Sequence, residues 1–337
     1  MTIVLLLSSF LVSVVLTIFF RRYAISRQVI DVPNVRSSHA VATPRGGGAA
    51  IVITFLLGLA ILRISGLVEL NTTIAMTGVS VLVAGIGFWD DHRDLSAKWR
   101  LVVHFFSAFW VIYWLNSVPT SSVFVFDQAS DWLMFFLASV SLVWLLNLYN
   151  FMDGIDGIAA SETIFISGAI GYFAYIGGHQ GIALLAFVLA MATSGFLVFN
   201  WPPARIFMGD AGSGFLGIVL GALVFALVIE TSIVWPWLLL FGVFLVDATV
   251  TLISRFLRGE RWYEAHCSHA YQQAARKWGH LRVTLTVNIV NCCWLLPLTY
   301  IAYKWPESAM IITMVAFAPL VLAALMLGAG RPFADDR

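Results

Sequence analysis

An all-α, polytopic integral membrane bundle of about eleven transmembrane helices, N-terminus outside and C-terminus cytoplasmic, is the fold predicted by three features of the sequence. Of 337 residues, 60% are hydrophobic and only 11% charged, and the mean hydropathy is +0.90. A water-soluble globular domain is close to excluded by such a composition. Charge-free windows long enough to cross a hydrocarbon core, roughly 20 residues of helix for about 30 Å, recur from end to end. Once they are drawn as spans, the basic residues fall almost entirely on one side, as cytoplasmic retention of Lys and Arg requires.

The first span runs from Met1 to Phe20. It lacks a basic leader and a small-residue cleavage pattern, and Arg21 and Arg22 follow directly, so it reads as a retained helix. The next spans are Gly47–Leu62, Thr72–Trp89, Leu101–Leu115, Trp132–Tyr149 and Ile158–Ile176. A turn at Gly177–Gly181 separates the last of these from Ile182–Phe199. Gly212–Ile229, Trp235–Phe256, Val283–Tyr303 and Ala309–Gly328 complete the set. With this division only Arg63 and Lys304, of 19 Lys and Arg residues, face outward. The net charge of +1 thus hides a strongly basic inner face. Three cysteines give no disulfide framework, because a bridge between the adjacent Cys292 and Cys293 would be strained. Without a long linker or an internal repeat, residues 1–337 read as one membrane-embedded domain.

In lipid each polar residue costs several kcal/mol unless it is paired or wet, and here the polar clusters crowd the cytoplasmic loops. Asp90 and Asp91 end a span where the helix dipole opposes negative charge. They are either a surface pair neutralised by Arg93, Lys98 and Arg100 or part of a divalent-metal or proton-transfer site. The next loop reads Asn150-Phe-Met-Asp153-Gly154-Ile-Asp156-Gly157. Asp-Gly suits a tight turn. Two carboxylates three residues apart without a local cation also call for Mg²⁺ or a cationic partner from another loop.

A third loop, Phe207-Met-Gly209-Asp210-Ala-Gly212-Ser213, opens a span whose free N–H groups favour phosphate. An N-capping aspartate explains it equally well, and Phe207 could stack on a base. The longest inner loop, 255–282, carries His266-Cys267-Ser-His269 among basic residues. Its spacing matches no structural zinc pattern, which leaves cationic contact with phosphate or an amphipathic helix on the membrane surface. Asp247 lies about two helical turns inside its span, where an ion pair with a neighbouring helix is as good an explanation as catalysis. Glu162 reads as structural.

Taken together the loops resemble the polyprenyl-phosphate N-acetylhexosamine-1-phosphate transferases, a glycosyltransferase family 4 type. The resemblance rests on Arg36-Ser-Ser-His39 and Thr43-Pro-Arg45-Gly-Gly-Gly48, on Asp90-Asp91, on 150–157 and 207–213, and on Asp247 ahead of 255–269. It is nearest to the branch that initiates O-antigen synthesis, because the histidine loop reads His266-Cys-Ser-His269-Ala-Tyr271-Gln272 and not contiguous histidines. It implies transfer of an N-acetylated hexosamine-1-phosphate from a UDP-N-acetylhexosamine to undecaprenyl phosphate at the cytoplasmic face of a bacterial inner membrane, with release of UMP. This is the first membrane step of O-antigen or another envelope polysaccharide.

The resemblance assigns Mg²⁺, replaceable by Mn²⁺, to Asp210 with support from Asp91. It gives catalytic roles to Asp90, Asp91, Asp153 and Asp156, and substrate contacts to Asn150, Phe207, Arg45, His266 and His269. Membrane lipid is a partner, nucleic acid is not, and a homodimer is allowed. A secondary transporter of an anionic metabolite and a lipid-phosphate hydrolase are the alternatives. The absence of an inverted repeat and the one-sided charge count against transport.

Overall fold

A computed structural model describes residues 2–33, 41–93, 95–115, 131–261 and 266–331. Helices stand at every one of the eleven expected segments: α1 (Thr2–Ser26), α2 (Gly48–Ile64), α3 (Leu70–His92), α4 (Ala97–Leu115), α5 (Asp131–Met152), α6 (Ile158–Ile176), α7 (Gln180–Asn200), α8 (Asp210–Thr231), α9 and α10 (Trp235–Leu240, Gly242–Leu257), α12 and α13 (His280–Val290, Leu296–Lys304) and α14 (Ala309–Leu327). Among the described residues eight helices are long and apolar enough to cross a membrane, and Gly48–Ile64 is a shorter apolar one. The chain is an all-α polytopic membrane protein apart from one two-residue ladder, β1 (Ile30–Asp31) antiparallel to β2 (Thr43–Pro44).

In lipid, apolarity alone does not decide which helix is central, since α1 and α14 are at least as apolar as α8; small residues that admit close packing do. In α8, which is apolar on all sides, 94% of the span is buried, whereas in α1 and α14 only 22% and 17% are. The bundle is therefore built around α8, with α3 and α5 packed closely along it. Close approach relies on glycine: a methyl group at Gly48 would lie 2.3 Å from the Gly212 Cα, so the starts of α2 and α8 cross backbone to backbone.

Two expected spans are interrupted. Trp235–Phe256 breaks at Phe241, whose N–H reaches back only three residues to the Leu238 carbonyl and tightens the end of α9. Val283–Tyr303 contains a π-helical turn, Asn291–Leu295. Pro297, two residues after it, has no N–H for the carbonyl four residues back and its ring needs room there, which the wider turn supplies. One helix lies outside the expected spans: α11 (Ala270–Trp278), in the basic loop. It is docked and not afloat on the membrane surface, with Ala270, Tyr271, Gln272, Ala274 and Ala275 buried.

Candidate active site

The aspartate-bearing loops converge at one end of the bundle on two adjoining clefts. The polar one, about 270 Å³, is lined by Arg45, Asp91, Asn150, Asp153, Asp156, Phe207 and Asp210, and also by Asp31, Gln272 and His280. The other, about 420 Å³, is walled by apolar side chains such as Val83, Leu101, Phe105 and Val140, with Asp90 and Arg100 at its polar end. Asn150 and Asp210 line both.

The third loop is held by the first. The Phe207 N–H donates to the Pro44 carbonyl (2.8 Å), and Gly47 and Gly48 N–H donate to the carbonyls of Phe207 and Met208 (3.0 and 2.8 Å). Gly209 then takes φ +77°, a conformation open to glycine at no steric cost. A Cβ there would stand 2.6 Å from the Asp91 carboxylate. Through this opening Asp91, only 4% exposed, reaches the start of α8 and accepts from the N–H groups of Asp210 (3.1 Å) and Ala211 (3.4 Å). It therefore caps α8 from another helix, and the Arg45 Nε lies 4.0 Å from it. Arg45 Nη2 donates to the Asp91 backbone carbonyl at 2.6 Å.

Asp210, the first residue of α8, points into the junction of the clefts. Its Oδ1 accepts from Asn150 Nδ2 (2.8 Å), and its Oδ2 lies 3.6 Å from Arg100. Arg100 in turn grips Asp90 at 2.6 Å, while the other Asp90 oxygen accepts the Leu95 N–H (2.8 Å). Asp90 thus holds a guanidinium at the polar end of the apolar cleft.

The two aspartates of the second loop part company. Asp156 accepts from the Ala204 N–H (3.0 Å) and lies 3.3 Å from His280 Nδ1, a ring nitrogen that also accepts the Asp156 N–H (3.4 Å). Among the described residues Asp153 has no hydrogen-bond or ion-pair partner. Desolvation in the cleft, and then the Asp210, Asp91 and Asp156 carboxylates, push it well above the usual carboxylate range.

His266 and His269 are not brought to the polar cleft. His269 is buried as the N-cap of α11 in a capping box with Gln272. Asp247 anchors the same helix start, accepting from the N–H groups of Ala270 (2.9 Å) and Tyr271 (2.8 Å), from Thr251 Oγ1 (3.1 Å) and from His269 Nδ1 (3.3 Å). Burial, followed by the nearby His269 and Arg255, holds His266 down to about 3, so it is neutral here. Tyr271 carries the histidine loop's influence to the cleft, its hydroxyl donating to the Phe151 carbonyl at 2.9 Å. Residues 36–39 of the resemblance lie outside the described residues.

Sequence reasoning passed over His280, Asp31, Gln272 and Asn200. His280 had a local signal, a glycine immediately before an apolar span. Asn200 had none: it ties two loops together, accepting the Gly157 N–H (3.1 Å) and donating to the Ile206 carbonyl (3.0 Å).

Among the described residues no three His, Cys, Asp or Glu side chains meet closely enough to cage a metal unaided. Mg²⁺ typically needs only one or two carboxylates plus phosphate oxygens, and Asp210 with the unpartnered Asp153 fits that requirement.

A carboxylate-rich polar cleft thus adjoins an apolar one at the end of the bundle. The family model described as glycosyl transferase family 4 matches residues 73–228. A probable undecaprenyl-phosphate N-acetylglucosaminyl 1-phosphate transferase of Bacillus subtilis (strain 168) is 31% identical over 271 residues, 79% of this chain and 75% of that protein. Phospho-N-acetylmuramoyl-pentapeptide-transferases are similar too. That of Moorella thermoacetica is 30% identical, covering 79% of this chain and 86% of its own length, and that of Streptococcus pneumoniae (strain Taiwan19F-14) is 29% identical, covering 70% and 74%. The chain belongs to glycosyl transferase family 4, and it is an enzyme of the phosphotransferase class.

Proposed function

We propose that the chain transfers an N-acetylated hexosamine-1-phosphate from a UDP-sugar to undecaprenyl phosphate, at the cytoplasmic face, as the first membrane step of O-antigen or another envelope polysaccharide. The observation that carries this reading is the meeting of the polar and apolar clefts at Asp210 and Asn150. A phosphate oxygen of the carrier attacks the β-phosphorus of the nucleotide sugar; the bond from that phosphorus to the bridging oxygen breaks, and UMP leaves with the electron pair.

Phosphoryl transfer of this kind is mainly positioning and charge neutralisation. On the nucleotide side Phe207 offers a ring to the uracil, and Arg45 offers a cation in the lining of the same cleft. On the lipid side Arg100, steadied by Asp90, presents a guanidinium to the carrier phosphate, for which a bidentate fork is well suited. That phosphate is already largely ionised near neutrality, so Asp90 has no need to remove a proton. Asp156 and Asp91 keep the loops in place. Mg²⁺, or Mn²⁺ in its stead, held by Asp210 and Asp153, would neutralise charge on the diphosphate as a Lewis acid.

The reading is tested with purified protein, sugar-labelled UDP-N-acetylhexosamine and carrier lipid. Label should pass into the lipid extract only when carrier is present, and excess EDTA should abolish it. Full turnover in EDTA would remove the metal. The orientation has its own test. In a background with Cys267, Cys292 and Cys293 replaced, single cysteines beside Arg93, Arg205 and Arg276 should be labelled only from the cytoplasmic side, and labelling of any of them on intact cells would overturn it.

A further inference from the structure

Glu162 is a fully buried acid on α6, far from any role in the clefts. Its Oε2 accepts the amide of Asn291 at 2.5 Å. Asn291 is itself fully buried and opens the π-helical turn after α12. Two atoms of this pair are left over: Glu162 Oε1 and Asn291 Oδ1 are both buried and both without a partner. Each is an acceptor, and together they lack one hydrogen. No cation makes up the deficit, since among the described residues no Lys, Arg or His bonds to Glu162. The titratable groups that feel it are the Tyr149 phenol on α5 and the Cys292 thiol on the π turn.

A bare carboxylate held by one amide in an apolar interior would be very costly. A single added proton removes both orphans, because an acid and a primary amide close a cyclic pair: the acid C=O accepts N–H while its O–H donates to the amide oxygen. We infer that Glu162 is a neutral carboxylic acid paired in this way with Asn291, and that the pair is a positioning device which sets α12 against α6 and so places His280 against Asp156 in the nucleotide cleft.

The second half follows from how the two helices run. Both start at the cleft, where Asp156 meets His280 and its carbonyl accepts the Thr284 hydroxyl (3.0 Å). Deeper in the bundle they are tied again where Asn291 donates to Glu162, seven residues beyond Thr284 and so about 10 Å further along. One attachment point fixes a contact; two fix register and rotation. Without the deeper point α12 is free to turn on its axis, and His280 with it. The π turn places the amide of Asn291 at that second point.

The test has two arms, of which only the second rests on the transferase reading. Infrared difference spectra of wild type against Glu162→Gln should show the carbonyl band of a protonated carboxyl in the wild type alone at about pH 6, above the ordinary glutamate range. Its absence, with a carboxylate signal instead, would overturn the acid whatever the protein catalyses. In kinetics Glu162→Gln should stay within about threefold of wild type, since an amide can still meet an amide. Glu162→Leu and Asn291→Leu should raise the KM for nucleotide sugar about tenfold while leaving the KM for carrier lipid unchanged. A fall in kcat with both KM values unchanged would mean lost active protein, and would overturn the positioning role.

Discussion

Asp210→Asn should abolish transfer and leave a folded, inserted protein. Asparagine keeps the oxygen that accepts from Asn150 (2.8 Å) and suits the start of α8, where Gly209 and Asp91 do the capping. Arg100 keeps its 2.6 Å bond to Asp90. What is lost is the charge a hard cation requires. A drop of at least about a hundredfold, some 2.7 kcal/mol of transition-state stabilisation, is expected in the rate of UMP release, with an unchanged melting temperature in detergent. If more than about a tenth of the rate survives, the principal ligand is Asp153, the acid the structure leaves unpartnered.

Asp247→Leu should act in the opposite sense, on folding before rate. The side chain is 5% exposed and accepts from two backbone N–H groups, a hydroxyl and an imidazole. Each buried donor left unsatisfied costs about 1–3 kcal/mol, so the sum is comparable to the whole stability of a typical domain, about 5–15 kcal/mol. Little monodisperse protein should be recovered, and Asp247→Asn, which retains one acceptor oxygen, should fall between. A well-behaved Asp247→Leu protein with a near-normal melting temperature and no activity would place Asp247 in the chemistry.

These two aspartates show how far the sequence was legible. The apolar runs were plain, since each is a long uninterrupted signal, and Ile158–Ile176 coincides with α6 residue for residue. Loop membership of the site was also legible, because the aspartate-bearing loops gather at one end. The division of labour among them was not. Asp91 looked like a metal ligand beside Asp90, yet it serves a helix start 119 residues away. Asp156 looked equivalent to Asp153 until His280, 124 residues on, took it. Both outcomes depend on through-space neighbours that no local pattern encodes. The histidines misled for the same reason: their spacing and basic surroundings fit phosphate contact, but the docking of α11 turned His269 inward as a cap. The break at Phe241 has only the neighbouring Gly242 as a local cue, and Pro297 beyond the π turn is a weak one, since Pro319 sits in an unbroken α14.

The identity of the nucleotide released tests the central claim most directly. Purified protein given Mg²⁺, undecaprenyl phosphate and UDP-N-acetylhexosamine should release UMP in equal amount to the sugar-labelled diphospholipid it forms. Release of UDP would mean that the sugar alone had moved, and water-soluble sugar phosphate without labelled lipid would mean hydrolysis; either would contradict the account.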